Sequence, residues 1–248
     1  MNTTGPSKGH LLIHGGNSSG RLDQETIDRF VQLCGGQGAN IVYIPTAEEE
    51  AKITKKNGDV GVFHGLNFTA LHTRDSVEAD QDYFVNPISY AAGVFIQGGR
   101  QPRLARAYLN TKTQKALECL LDRGGVILGT SAGATILGSY LVRNQGPPDY
   151  DSDVMVDPNH PADGFGFIKN IAIDQHVAER GRENDLVDVV NSHPGLLGVG
   201  IDEQTAVHVI GDRFSVMGNG NVYIHDGTSP WYRLGNGAIF DLAGRKSG

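Results

Sequence analysis

Val126-Ile127-Leu128-Gly129-Thr130-Ser131-Ala132-Gly133-Ala134 is the stretch from which the rest of the chain can be read. An apolar run stops abruptly at a serine flanked by glycines, and a helix-compatible segment, Thr135 to Val142, follows. Gly129-Thr130-Ser131-Ala132-Gly133 satisfies G-x-S-x-G, the pattern that sets a nucleophile on a sharp strand-to-helix turn. Small neighbours let the backbone turn tightly and leave Ser131 Oγ exposed above a sheet. The amide of Ala132, at the start of the helix, then faces any developing oxyanion. The same spacing also describes an ordinary tight β–α connection, so the serine needs a base before it implies chemistry.

Strand-like and helix-like patterns alternate outward from this turn. His10 to His14 reads as a first strand closed by Gly15-Gly16-Asn17. Gln24 to Cys34 has Ile27, Phe30, Val31 and Cys34 on one helical face. Asn40 to Pro45 is an apolar strand, and residues 48–63 read as a helix interrupted near Gly58. Phe68 to His72 and Val94 to Gln97 are further strands, and Pro102 to Asn110 and Lys112 to Arg123 are helices. This order implies an α/β chain with a mostly parallel sheet covered by helices on both faces, a three-layer arrangement. Past an acidic loop at 146–153, Ile171 to Asp174 reads as a strand and Asn184 to Ser192 as a helix. Leu197 to Asp202, Ala206 to Ile210, Arg213 to Met217 and Asn221 to His225 are short strands, expected to form the far side of the sheet plus an antiparallel hairpin. With no linker or internal repeat, residues 1–248 are expected to form a single domain, with 1–8 as a disordered tail.

Composition narrows the function classes. The 248 residues are 39% hydrophobic, enough for a sizeable core, and the 34 glycines are dispersed among apolar runs as turn residues. A formal charge of −7 argues against broad nucleic-acid or membrane binding. No apolar stretch approaches the roughly 20 residues of a membrane span. The N-terminus carries no signal-peptide pattern. Cys34 and Cys119 lie in helix-like segments without a C-x-x-C partner, and both are expected to be buried free thiols in a reducing, cytoplasmic setting.

Ser131 can find its base among nine histidines. His10, His14, His64, His72 and His225 lie in segments with no evident route to the serine. His176 differs because it ends the strand-like Ile173-Asp174-Gln175, 45 positions later. Strand C-termini of an open parallel sheet share the edge at which ligands bind, so His176 can converge on Ser131 there. Glu203, in Gly200-Ile201-Asp202-Glu203-Gln204-Thr205, could hold the imidazole tautomer. Asp202 is the fallback acid, and a plain acidic turn is the competing reading. Gly98-Gly99-Arg100-Gln101 closes another strand where backbone amides can approach a substrate. Neither G-x-x-x-x-G-K-[ST] nor a dinucleotide fingerprint is present, and no H-E-x-x-H or similar spacing points to a metal, so neither cofactor nor metal is expected.

Taken in order, His14-Gly15-Gly16, Ile44-Pro45-Thr46-Ala47, Gln97 to Gln101, Gly129 to Ala134, Asp174-Gln175-His176 and Gly200 to Ala206 resemble the cyanophycinase family of serine peptidases, whose relatives include α-aspartyl dipeptidases. The resemblance covers roughly residues 9–226. It implies a fold related to class I glutamine amidotransferases, with Ser131 as nucleophile, His176 as general base and acid, and Glu203 as third member. It further implies an oxyanion hole from the amides of Gly99 and Ala132, and a substrate pocket lined by Gln101, Asp174, Gln175, Arg180 and Arg182. The family substrate is a poly-aspartate with arginine on each side-chain carboxyl, released as β-Asp-Arg dipeptides from the chain end, and the resemblance also implies a homodimer.

The chain departs from that family's pattern at three places. Val177 stands where a Phe is usual after the histidine, Asp185 stands where a third arginine is expected beyond Arg180 and Arg182, and Glu48 stands where a serine is usual. The resemblance therefore implies a serine exopeptidase acting on cyanophycin or a related β-aspartyl peptide. An α-aspartyl dipeptidase is the alternative, and a non-catalytic binding protein on the same scaffold is a third reading. A glutamine amidotransferase is disfavoured, because serine, not cysteine, occupies the elbow.

Overall fold

The computed structural model describes residues 2–50, 53, 66–142, 163–227 and 231–248. The strands are β1 (His10–His14), β2 (Asn40–Ile44), β3 (Asn67–Ala70), β4 (Gly93–Ile96), β5 (Val126–Thr130), β6 (Tyr140–Leu141), β7 (Ile171–Gln175), β8 (Leu197–Ile201), β9 (Thr205–Ile210), β10 (Arg213–Gly218), β11 (Val222–His225), β12 (Tyr232–Leu234), β13 (Ile239–Asp241) and β14 (Lys246–Ser247). The helices are α1 (Gln24–Leu33), α2 (Ser76–Ala79), α3 (Asp82–Tyr90), α4 (Gln101–Tyr108), α5 (Lys112–Asp122), α6 (Ala132–Thr135) and α7 (Asp185–Ser192). The expected residues 48–63 helix falls mainly, and the acidic loop at 146–153 wholly, outside the described residues.

The strands form two sheets, ordered β14-β13-β10-β9-β1-β5-β4-β2-β3 and β12-β11-β8-β7-β6. In the larger sheet β3, β2, β4, β5 and β1 are parallel, and an antiparallel extension begins where β9 pairs with β1. Alternation along the parallel strands explains the layering. Leu11, Ile13, Val94, Ile96 and Ile127 enter one apolar cluster, while Leu12, Phe95, Val126 and Leu128 enter another beneath α1. Both faces are thus buried, as period-two apolar runs require. The first cluster continues into Ile171, Ile173, Val199 and Ile201 of the smaller sheet, so one core joins the two sheets. Asp23 starts α1 by accepting the Thr26 amide at 2.8 Å.

The α/β class and the β9–β10 hairpin agree with the sequence reading. Four expectations need correction. The strands β8 and β11 belong to a second sheet and not to the far side of the first, and β7, expected to share a sheet edge with Ser131, lies in that second sheet too. The helix after Ser131 is Ala132–Thr135, not Thr135 to Val142. Ser139 ends it by donating its amide to Ile171 O at 3.1 Å and accepting the Ile171 amide at 2.9 Å, which draws Tyr140 and Leu141 into a strand. Residues 2–8 are not a disordered tail: Thr3 is buried, Thr4 bridges Lys169, and Pro6 O accepts the Gly211 amide. Cys34 is buried but Cys119 is exposed, because its place on α5 turns away from the face carrying Leu117, Leu120 and Leu121.

Candidate active site

The end of β1 is the point to which the site is fastened. Three successive carbonyls, those of His14, Gly15 and Gly16, accept the amides of Ser131, His176 and Gln204, each at 3.0 Å. Segments that are remote in sequence, and that belong to different sheets, therefore meet on one short strand end. Gly16 has a positive φ of 105°, and a Cβ there would lie 2.3 Å from His176 Cε1. Only glycine permits this approach of backbone to imidazole.

Ser131 caps α6 with φ 53° and ψ −116°, outside the regions that L-residues favour. This backbone costs on the order of 1–3 kcal/mol and persists because β5 and α6 hold it on both sides. Ser131 Oγ lies 3.0 Å from His176 Nε2, and His176 Nδ1 lies 2.6 Å from Glu203 Oε1. Glu203 is itself held, accepting the Ser18 amide at 2.8 Å and the Ser18 hydroxyl at 2.5 Å. Burial lowers the His176 pKa, and the charge of Arg180 lowers it further, against the opposing pull of Glu203. The imidazole is thus neutral at neutral pH and able to take a proton. Burial works against the Glu203 carboxylate, but hydrogen bonds from Ser18 and His176 hold its pKa below the ordinary value.

Asp202, the fallback acid, points elsewhere. Its Oδ1 accepts the Ala178 amide at 2.9 Å and its Oδ2 the Asn221 amide at 2.9 Å. Glu179 answers from the other side, accepting the Glu203 amide at 3.1 Å. These bonds strap the turn after His176 to the turn that carries Glu203. The amides of Gly99 and Ala132 donate no hydrogen bond among the described residues, and the Gly98-Gly99 turn packs on the serine. A Cβ built on Gly98 would stand 2.9 Å from Ser131 Cβ.

The residues expected to line a pocket divide. Asp174 and Gln175 are buried at the end of β7, and among the described residues Asp174 Oδ2 and Gln175 Oε1 have no hydrogen-bond partner. Burial raises the Asp174 carboxyl to about 6, despite the Gln175 amide on Oδ1 and the Arg182 guanidinium 3.8 Å away. Asp185 is exposed at the first position of α7, yet its charge also raises the Asp174 pKa. Arg180 is exposed. Gln101 donates its side-chain amide to Val142 O at 2.5 Å. Sequence reasoning missed Ser18, His14 and Asp23. Their signal was position: all three follow or end the first strand, on the edge where Ser131 sits.

Residues 10–217 match the model of peptidase family S51. A cyanophycinase of Geminocystis herdmanii is 31% identical over 229 residues, covering 90% of this chain and 82% of its own length. A cyanophycinase of a Nostoc species is 30% identical over 233 residues, covering 92% and 77%. A peptidase from an acI-B1 Actinobacterium superposes with a TM-score of 0.74 at 22% identity, covering 96% of this chain and 98% of that one. A putative peptidase E protein of Listeria monocytogenes gives 0.60 at 15% identity, covering 86% and 100%.

Proposed function

Because the chain belongs to peptidase family S51 and is a serine peptidase, we propose that it hydrolyses cyanophycin or a related β-aspartyl peptide through an acyl-enzyme. The observation that carries this reading is the continuous chain from Ser131 Oγ through His176 to Glu203, at 3.0 and 2.6 Å. Ser131 Oγ attacks the scissile carbonyl carbon while His176 Nε2 takes the hydroxyl proton. Glu203 steadies the imidazolium, and the Gly99 and Ala132 amides receive the oxyanion. When the tetrahedral intermediate collapses, the C–N bond breaks and His176 returns its proton to the leaving amine. Water, deprotonated by His176, then releases the acyl group and restores Ser131.

Recognition falls to Gln101, Asp174, Gln175, Arg180, Arg182 and Asp185 in this reading. The arginines suit a substrate carboxylate. The unpartnered oxygens of Asp174 and Gln175 suit N–H donors such as a guanidinium. Asp185 favours a second reading, an α-aspartyl dipeptidase, since an anion near Asp174 also suits a free amino terminus. Incubation with purified cyanophycin, β-Asp-Arg oligomers and α-Asp dipeptides, with products resolved by mass spectrometry, tests both. Release of β-Asp-Arg supports the first reading. Turnover of α-Asp dipeptides alone supports the second.

A further inference from the structure

We propose that Asp23 and His14 form a positioning pair that locks the glycine turn beneath the His176 ring by dictating the tautomer of His14. The proposal rests on the reading of Ser131 and His176 as nucleophile and base. His14 is fully buried, with Nε2 3.0 Å from Asp23 Oδ2 and Nδ1 3.0 Å from the Gly16 amide nitrogen. A peptide N–H can only donate, so neutral His14 presents a lone pair at Nδ1 and carries its proton on Nε2. Asp23 accepts that proton's hydrogen bond and so selects the tautomer that can hold Gly16. Thr130 Oγ1, one residue before Ser131, also lies 3.1 Å from Nδ1.

The consequence reaches the base through packing. Gly16 presses on the His176 ring so closely that a Cβ would lie 2.5 Å from Nε2, the nitrogen that meets Ser131 Oγ. The Gly16 carbonyl also holds the Gln204 amide, next to Glu203. A shift of Gly16 therefore moves the base and the acid segment together. Asp23 has a separate structural duty: its Oδ1 caps α1 through the Thr26 amide, and its Oδ2 accepts the Thr26 hydroxyl at 2.8 Å. The two duties can be separated by substitution. In D23N the carboxamide oxygen still caps α1, since Asn and Asp cap about equally well. The amide nitrogen then faces His14 Nε2 and demands its lone pair, which places a proton on Nδ1 against the Gly16 N–H. D23S keeps a capping oxygen but is too short to reach His14.

The test measures the rate at which a fluorophosphonate labels Ser131 in wild type, D23N, D23S and S131A, alongside thermal melts and ¹⁵N shifts of the His14 ring. Expected are melts close to wild type, labelling slowed about 10- to 100-fold in D23N and D23S, and a move of the His14 proton to Nδ1 in D23N. Labelling of D23N at the wild-type rate overturns the proposal, as does slow labelling with the His14 tautomer unmoved. Slowing that merely tracks a lowered melting temperature in both variants also overturns it. A wild type that the reagent leaves unlabelled at Ser131, under conditions where it labels a known serine peptidase, overturns the nucleophile assignment and this proposal with it.

Discussion

The Ser131 end of the site and the Asp174 end are built in opposite ways. Around Ser131, His176 and Glu203 the polar side chains are paired, down to the two bonds from Ser18 that hold the glutamate. Around Asp174 and Gln175, two buried oxygens lack hydrogen-bond partners among the described residues and a carboxyl rises to about 6. Buried polar groups without partners cost about 1–3 kcal/mol each, so their retention asks for a reason. The contrast teaches that the first end is satisfied by the protein's own groups, whereas the second leaves acceptors open, as the proposed recognition of N–H donors requires. Strain is stored on the first side, in the Ser131 backbone; desolvation is stored on the second.

The largest effect that can break this comparison belongs to the paired side. Ser131→Ala is expected to lower kcat by about 10⁴-fold or more with an unchanged melt, and near-full activity in a clean preparation would remove Ser131 from the mechanism. On the unsatisfied side, Asp174→Asn is expected to stabilise the protein at pH 8 by up to about 2–3 kcal/mol. The folded-state pKa of Asp174 is raised, from 3.8 to about 6. Its contribution is therefore most favourable below pH 3.8 and is lost as pH rises through about 6. Unfolding curves at pH 8 and pH 4 should differ accordingly, with the gain confined to the higher pH; equal stability at both would show that Asp174 carries no desolvation cost.

Asp185→Arg should raise kcat/KM for cyanophycin about tenfold, the equivalent of roughly 1.4 kcal/mol, if Asp185 faces the substrate. Unchanged rates on cyanophycin and on α- and β-aspartyl peptides would place it in solvent instead. The smallest effect links the two sides. Arg180 lowers the His176 pKa, so Arg180→Gln should move the acid limb of kcat/KM toward higher pH. High salt should shrink that difference, because Arg180 is exposed. An acid limb indifferent to the substitution would mean that Arg180 does not tune the His176 pKa.

Local pattern made much of this molecule legible. Apolar runs bounded by glycine gave β1, β2, β4 and β5 nearly to the residue, and G-x-S-x-G marked the turn at Ser131. His176 and Glu203 were legible because each follows a strand-like run, and the structure brings both to Ser131. Sheet membership was not legible. The expected route, one shared edge of one sheet, is not the one taken; β7 and β8 sit in a second sheet and reach Ser131 through the carbonyls of Gly15 and Gly16. Pairing partners of short strands are set by long-range packing, which spacing does not encode. The helix α3 escaped notice because Pro87 lies inside it, and Ser18 because a turn serine has no pattern of its own until its partner is known.

The three carbonyls at the end of β1 also set a timetable. The first strand of the chain can complete its fastening only when residues 131, 176 and 204 have all been made and delivered to it. Contacts of such sequence separation close late, because the entropy of the intervening loops must be met first. On a ribosome, where synthesis runs N-terminal first, the nascent chain exposes β1 long before β9 exists to cover its other edge. The pairing of Ser131 with His176 is thereby tied to near-complete synthesis: a chain stopped before residue 176 holds the serine without the imidazole that meets it.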